Sequence, residues 1–122
     1  MERTVMMQLK NWKNSQFRKP LILTGARQVG KTYVLKEFGK KEFKNVAYVN
    51  CDNNPDVRSL FDEDYDMKKV LMIIGAITKQ PIVPGETLII LDEIQELPRG
   101  LSSLKYFCEE IPEYHVVVAG SL

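Results

Sequence analysis

The chain has 122 residues, about one domain, and is 44% apolar and 27% charged, ordinary globular usage that excludes disordered, fibrous and collagen-like classes. Its longest apolar runs, LILTGA at residues 21–26 and VLMIIGAI at 70–77, fall far short of the roughly 20 residues a membrane helix needs. Charges at Glu2, Arg3 and Lys10 interrupt any signal-peptide core, so the expected location is cytoplasmic, with no membrane partner. The net charge of +1 conceals a split: residues 1–44 carry eleven basic and three acidic side chains, residues 45–122 six and thirteen. Such asymmetry fits either a nucleic-acid face or a site that an anionic ligand neutralises.

In chain order, Val5, Met6, Leu9 and Trp12 form an apolar stripe at helical spacing, which predicts a packing helix over residues 2–16. Pro20 ends that segment, because the residue before proline disfavours helix. Leu21 to Thr24 then reads as a short strand covered on both faces. After the glycine-containing stretch at 25–32, Val34, Leu35 and Phe38 share one helix face, and Gly39 is the expected stop. A second strand is expected at Val46 to Asn50. The polar segment at residues 51–66 reads as an irregular loop with at most one helical turn near Val57 to Phe61. A helix over Met67 to Lys79, a strand at Leu88 to Leu91, a helix over Leu101 to Ile111 and a strand at Val116 to Ala119 complete the order. Four buried strands separated mostly by helices predict an α/β layered fold on a parallel sheet.

Residues 25–32, GARQVGKT, satisfy the P-loop pattern of glycine, four residues, glycine, lysine and a small hydroxyl. The chemistry explains the spacing. Glycines let the backbone curl so that successive N–H groups point at one anion, and the following helix aims its positive end at the same place. Gly25, Ala26, Arg27, Gln28, Val29, Gly30, Lys31, Thr32 and Tyr33 are therefore the candidate nucleotide-binding residues. Lys31 is expected to reach the β- and γ-phosphates, and the Thr32 hydroxyl to face Mg²⁺.

The run LIILDE places Asp92 at the end of an apolar strand, in the manner of a Walker B aspartate that supports Mg²⁺. Glu93 is suited to polarise an attacking water, which favours hydrolysis over transfer to a metabolite. A guanine-reading NKxD is absent from the sequence, so ATP is the expected nucleotide. If the last strand lies between the P-loop strand and the LIILDE strand, Ser121 emerges beside the γ-phosphate as a sensor. Cys51 and Cys108 lack metal-ligand spacing to one another or to His115 and read as free thiols.

Together, KPLILTGARQVGKT, TLIILDEIQELP and VVVAGS resemble the N-terminal ATPase module of a widespread prokaryotic AAA-type family within the AAA+ superfamily. The resemblance runs from the Trp12 helix to Ser121. It implies a three-layer P-loop NTPase core of the AAA+ kind, with strand order 1-4-3-2 and with the fifth strand, whose place is beside the first, missing. It also implies phosphate contact from Gly25 to Thr32, magnesium support from Asp92, water activation by Glu93 and sensing by Ser121. Gln95 matches the family as well. The expected organisation is an N-terminal helix at residues 1–19 and a truncated ATPase core at 20–122, a fragment expected at best to bind nucleotide, with little or no turnover. In the intact protein a homo-oligomer and a further C-terminal domain are implied. Two other functions fit the same residues: a nucleotide-gated switch that recruits a partner such as DNA, and a small-molecule phosphotransferase.

Overall fold

The computed structural model describes residues 2–15, 19–24, 29–52, 55–58, 60–61, 66–97 and 99–120. Among the described residues, strands and helices alternate as α1 (Glu2–Lys13), β1 (Leu21–Thr24), α2 (Val29–Glu42), β2 (Asn45–Asn50), α3 (Pro55–Arg58), α4 (Met67–Thr78), β3 (Thr87–Asp92), α5 (Ser103–Glu110) and β4 (His115–Gly120). A single 3-10 turn, Ile94–Glu96, follows β3. The strands form one parallel sheet in the order β1-β4-β3-β2, the predicted order. Because side chains alternate along a strand, the sheet builds two cores. Val46, Tyr48, Leu88, Ile90, Val117 and Ala119 face α1 and α2. Ala47, Val49, Ile89, Leu91, Val116 and Val118 face α3, α4 and α5. The result is a three-layer α/β fold.

Burial follows position in the sheet. Every residue of the central strands β3 and β4 is buried, which is why their sequences are nearly continuous apolar runs. Both strands extend beyond those runs, to Thr87 and Asp92 and to His115 and Gly120, with the polar ends buried as well. Thr87 is accommodated by a small network: its hydroxyl lies 2.7 Å from Asn45 Oδ1 and accepts the Val83 N–H at 3.0 Å. The edge strand β1 differs from the expectation of cover on both faces. Leu21 and Leu23 pack against the α1–α2 core, but Ile22, on the opposite face, is 44% exposed.

Helix α2 corrects another expectation. It does not stop at Gly39 but runs through it to Glu42, with Gly39 itself buried. A Cβ at Gly39 would collide with Val46 Cγ2 and crowd Leu88 Cδ2. The glycine therefore permits close helix–sheet approach and is not a helix terminator. The short helix in the β2–α4 loop also begins earlier than expected, at Pro55, since proline is favoured in a first helical turn. Helix α4 is capped by Asp66, whose side chain accepts the Lys69 N–H, and α5 is shorter at both ends than its periodicity predicts.

Helix α1 packs against the same body. Leu9 is fully buried, and the Trp12 ring stands edge-on to His115 at 5.6 Å and against Phe38 at 6.5 Å. Trp12 Nε1–H donates to the Lys19 carbonyl, which ties the helix to the segment entering β1.

The Gly39 contact yields a test. Alanine at a helix interior is worth about 1 kcal/mol over glycine, yet Gly39→Ala is expected to destabilise the chain by about 1–3 kcal/mol through overpacking against the β-branched Val46. Urea denaturation measures this, and adding Val46→Ala should recover part of the loss.

Candidate functional site

The C-terminal ends of the strands meet along one edge of the sheet. Asn50 is in register with Asp92, and Thr24 with Gly120. In an open parallel sheet this edge is where ligands bind. The first turn of α2 stands over it, and between them lies a cavity of about 530 Å³. Helix α2 lines the cavity with Lys31, Thr32, Tyr33 and Lys36, β2 with Tyr48 and Asn50 and the segment after it with Asp52, the end of β3 with Asp92 and the residue after it, Glu93, and β4 with Gly120.

Asp92 is the centre of the arrangement. Only 8% exposed, its carboxylate takes three hydrogen bonds. Thr32 Oγ1 donates to Oδ2 at 2.8 Å, the Tyr48 hydroxyl donates to the same oxygen at 2.6 Å, and the Glu93 N–H donates to Oδ1 at 3.0 Å. A buried carboxylate needs such partners, because burying it unpaired costs several kcal/mol or more. The Thr32–Asp92 bond joins residues 60 positions apart, and it joins the two sequence motifs in space.

Glu93 follows in the left-handed backbone region, with φ 57° and ψ 47°. L-residues seldom adopt this conformation, and such strain is concentrated at functional sites. The turn breaks the strand at once, so that Glu93 lines the same cavity as Asp92 instead of continuing the sheet's alternation.

Of the other predicted site residues, Val29 and Gly30 open α2, Lys31 is half-buried in its first turn, and Tyr33 is 59% exposed at the cavity rim. Gly25, Ala26, Arg27, Gln28 and Ser121 lie outside the described residues. Gln95 is brought to the end of β4: a Cβ on Gly120 would strike its amide oxygen, which is buried and has no hydrogen-bond partner among the described residues.

The residue that sequence reasoning missed is Tyr48. In VAYVN it looks like one more β-former, and only the pairing of β2 with β3 places it diagonally across from Asp92. Burial, reinforced by the hydrogen bond to Asp92 and that residue's charge, pushes the Tyr48 phenol well above its ordinary range, so it remains a proton donor. The Lys36 ammonium sits over its ring, 4.1 Å from the centroid. Cys51, buried just past β2, is pushed up to about 12 by burial and by the nearby charges of Asp92 and Glu93, which leaves it a neutral thiol near neutral pH.

A parallel sheet ordered 1-4-3-2, layered with helices and opening its strand ends under the head of α2, is the architecture of a P-loop NTPase. The sequence profile of the AAA domain family matches residues 17–122. The chain belongs to that family, and its function is accordingly of the nucleotide-binding ATPase type. Comparison with curated proteins finds no match. No helix among the described residues is long and apolar enough to cross a membrane.

The thiol gives a pH test. The folded state holds the Cys51 proton up to about pH 12, whereas an unperturbed thiol releases it near 9.0. Between these values the native state binds more protons than the unfolded state, so stability falls as pH rises. Denaturation midpoints measured from pH 8 to 11 should decline, and Cys51→Ala should flatten the decline.

Proposed function

We propose that this chain is the ATP-binding module of a Mg²⁺-dependent AAA+ ATPase. The observation that carries the reading is the hydrogen bond from Thr32, in the first turn of α2, to Asp92 at the end of β3. It supplies paired hard-oxygen groups beside Lys31, the donor type that magnesium prefers. The main-chain amides from Gly25 to Gly30 cradle the phosphates, aided by the positive end of α2, and Lys31 neutralises the β- and γ-phosphate charge. Thr32 and Asp92 would hold the metal. Among the described residues no group of three His, Cys, Asp or Glu side chains offers a metal cage. Magnesium would arrive on the nucleotide and take its remaining ligands from phosphate and water. Bound magnesium would spread the charge of the transferring phosphoryl group.

The protein's own part in hydrolysis falls to Glu93, which accepts a proton from the attacking water. Ser121, following β4, orients that water or senses the γ-phosphate. Gln95, packed on Gly120, holds the β4 end in place. The location of Glu93 at the cavity, directly after the metal-supporting residue, favours water over a metabolite as the phosphoryl acceptor. Oligomerisation, common in the family, would add groups in trans, and an arginine supplied this way is worth about 10³–10⁵ in rate.

Calorimetric titration of MgATP into this chain should give a saturable heat, and Lys31→Ala should weaken the affinity at least about tenfold, as expected for loss of a charge-assisted contact to phosphate. In the intact protein Glu93→Gln should bind MgATP as tightly as wild type while phosphate release slows by about 10²-fold or more. Absence of heat with the wild-type chain would refute nucleotide binding, and unchanged turnover in Glu93→Gln would refute its role as base.

A further inference from the structure

Three elements meet at the Asp92 carboxylate, and Tyr48 is the member to which no reading of the sequence assigns a task. In the β2–β3 register Tyr48 pairs with Ile90 and Asn50 with Asp92, so Tyr48 and Asp92 are diagonal neighbours on the sheet face that carries α2. Diagonal partners in a sheet stand about 7–8 Å apart at the backbone. Among neutral hydroxyl-bearing side chains only tyrosine spans that gap, and here it does so with a 2.6 Å hydrogen bond. The ring is itself gripped from α2: Lys36, one helical turn after Thr32, places its ammonium 4.1 Å from the ring centroid.

We propose that Tyr48 is a positioning residue for the metal-bearing nucleotide: its hydroxyl fixes the Asp92 carboxylate against Thr32, so that both oxygens are presented to a divalent cation without rearrangement. This deepens the function proposed above and rests on it. The Thr32 proton is committed to Asp92 Oδ2, which leaves the threonine lone pairs available to a cation. A carboxylate held only by Thr32 and the Glu93 N–H could turn about its side-chain bonds when Thr32 engages the metal. The third donor, anchored on a different strand, prevents that. Tyr48 contacts neither phosphate nor water in this role and acts through Asp92.

The test separates metal from nucleotide. ATP is titrated calorimetrically into the chain in EDTA and at a series of MgCl₂ concentrations, for wild type, Tyr48→Phe, Asp92→Asn and the double variant. Phenylalanine keeps the ring, its packing and the Lys36 contact, so the chain should stay folded, with its unfolding temperature lowered by roughly a few degrees for the one donor taken from the buried carboxylate. Expected for Tyr48→Phe is an unchanged affinity in EDTA and about a tenfold rise in the MgCl₂ needed to tighten ATP, the loss typical of one hydrogen bond to a charged group. In the Asp92→Asn background the Tyr48 substitution should have no further effect on the magnesium dependence. A magnesium titration identical to wild type, an equal loss with and without magnesium, or full additivity with Asp92→Asn would each overturn the positioning role. Failure of wild type to bind MgATP at all would instead remove the nucleotide reading on which it stands.

Discussion

The buried carboxylate of Asp92 is the constraint on which the site depends. An anion at the end of a central strand cannot be hydrated in the ordinary way, and its three hydrogen-bond donors come from three places: the head of α2, the middle of β2 and the next peptide of its own chain. Each donor is useful only if its element is correctly placed. The register of β2 on β3 and the height of α2 over the sheet are therefore coupled to the hydrogen bonding of one side chain. Removing a donor leaves charge underpaired in a setting where that is costly.

The seat of α2 follows from packing on the same sheet face. Val34, Leu35 and Phe38 are buried against Leu88, Ile90 and Val117, and Gly39 lets the helix descend until it touches Val46. The helix that closes on the sheet near its C-terminal end therefore presents Lys31 and Thr32 at its other end, above the strand termini. The aromatic cluster of Trp12, Phe38, Phe43 and His115 adds α1 to this layer. Structure and site are in this sense continuous: the contacts that set the core also set the distance from Thr32 to Asp92.

The opposing charges of the two parts of the chain acquire a meaning at the cavity. Lys31 and Lys36 come from the basic N-terminal part, and Asp52, Asp92 and Glu93 from the acidic remainder, and all line the same space. A cavity with cationic groups on the helix side and carboxylates on the strand side suits a phosphate chain carrying a divalent cation, whose two ends have opposite electrostatic demands. The left-handed turn at Glu93 brings a second carboxylate to this boundary at the cost of local strain.

What the sequence alone determined was most of what depends on neighbours along the chain. The apolar runs LILT, LIIL and VVV marked strands, the periodicity of α1 and α4 marked helices, and the spacing of Gly25, Gly30, Lys31 and Thr32, with Asp92 and Glu93 after an apolar strand, pointed to a kind of site. Those signals are local, so they are written in order. What only tertiary structure decided was which residues meet across elements. Tyr48 gave no sign in VAYVN, because its partner lies 44 residues away and is reached through strand register. Gly39 looked like a helix end because glycine favours one, and nothing nearby announced that Val46 would occupy the space of its missing side chain. Strand exposure was decided the same way: LILT and LIIL read alike, yet one lies at the edge of the sheet and the other at its centre, since order within a sheet is set by non-local pairing.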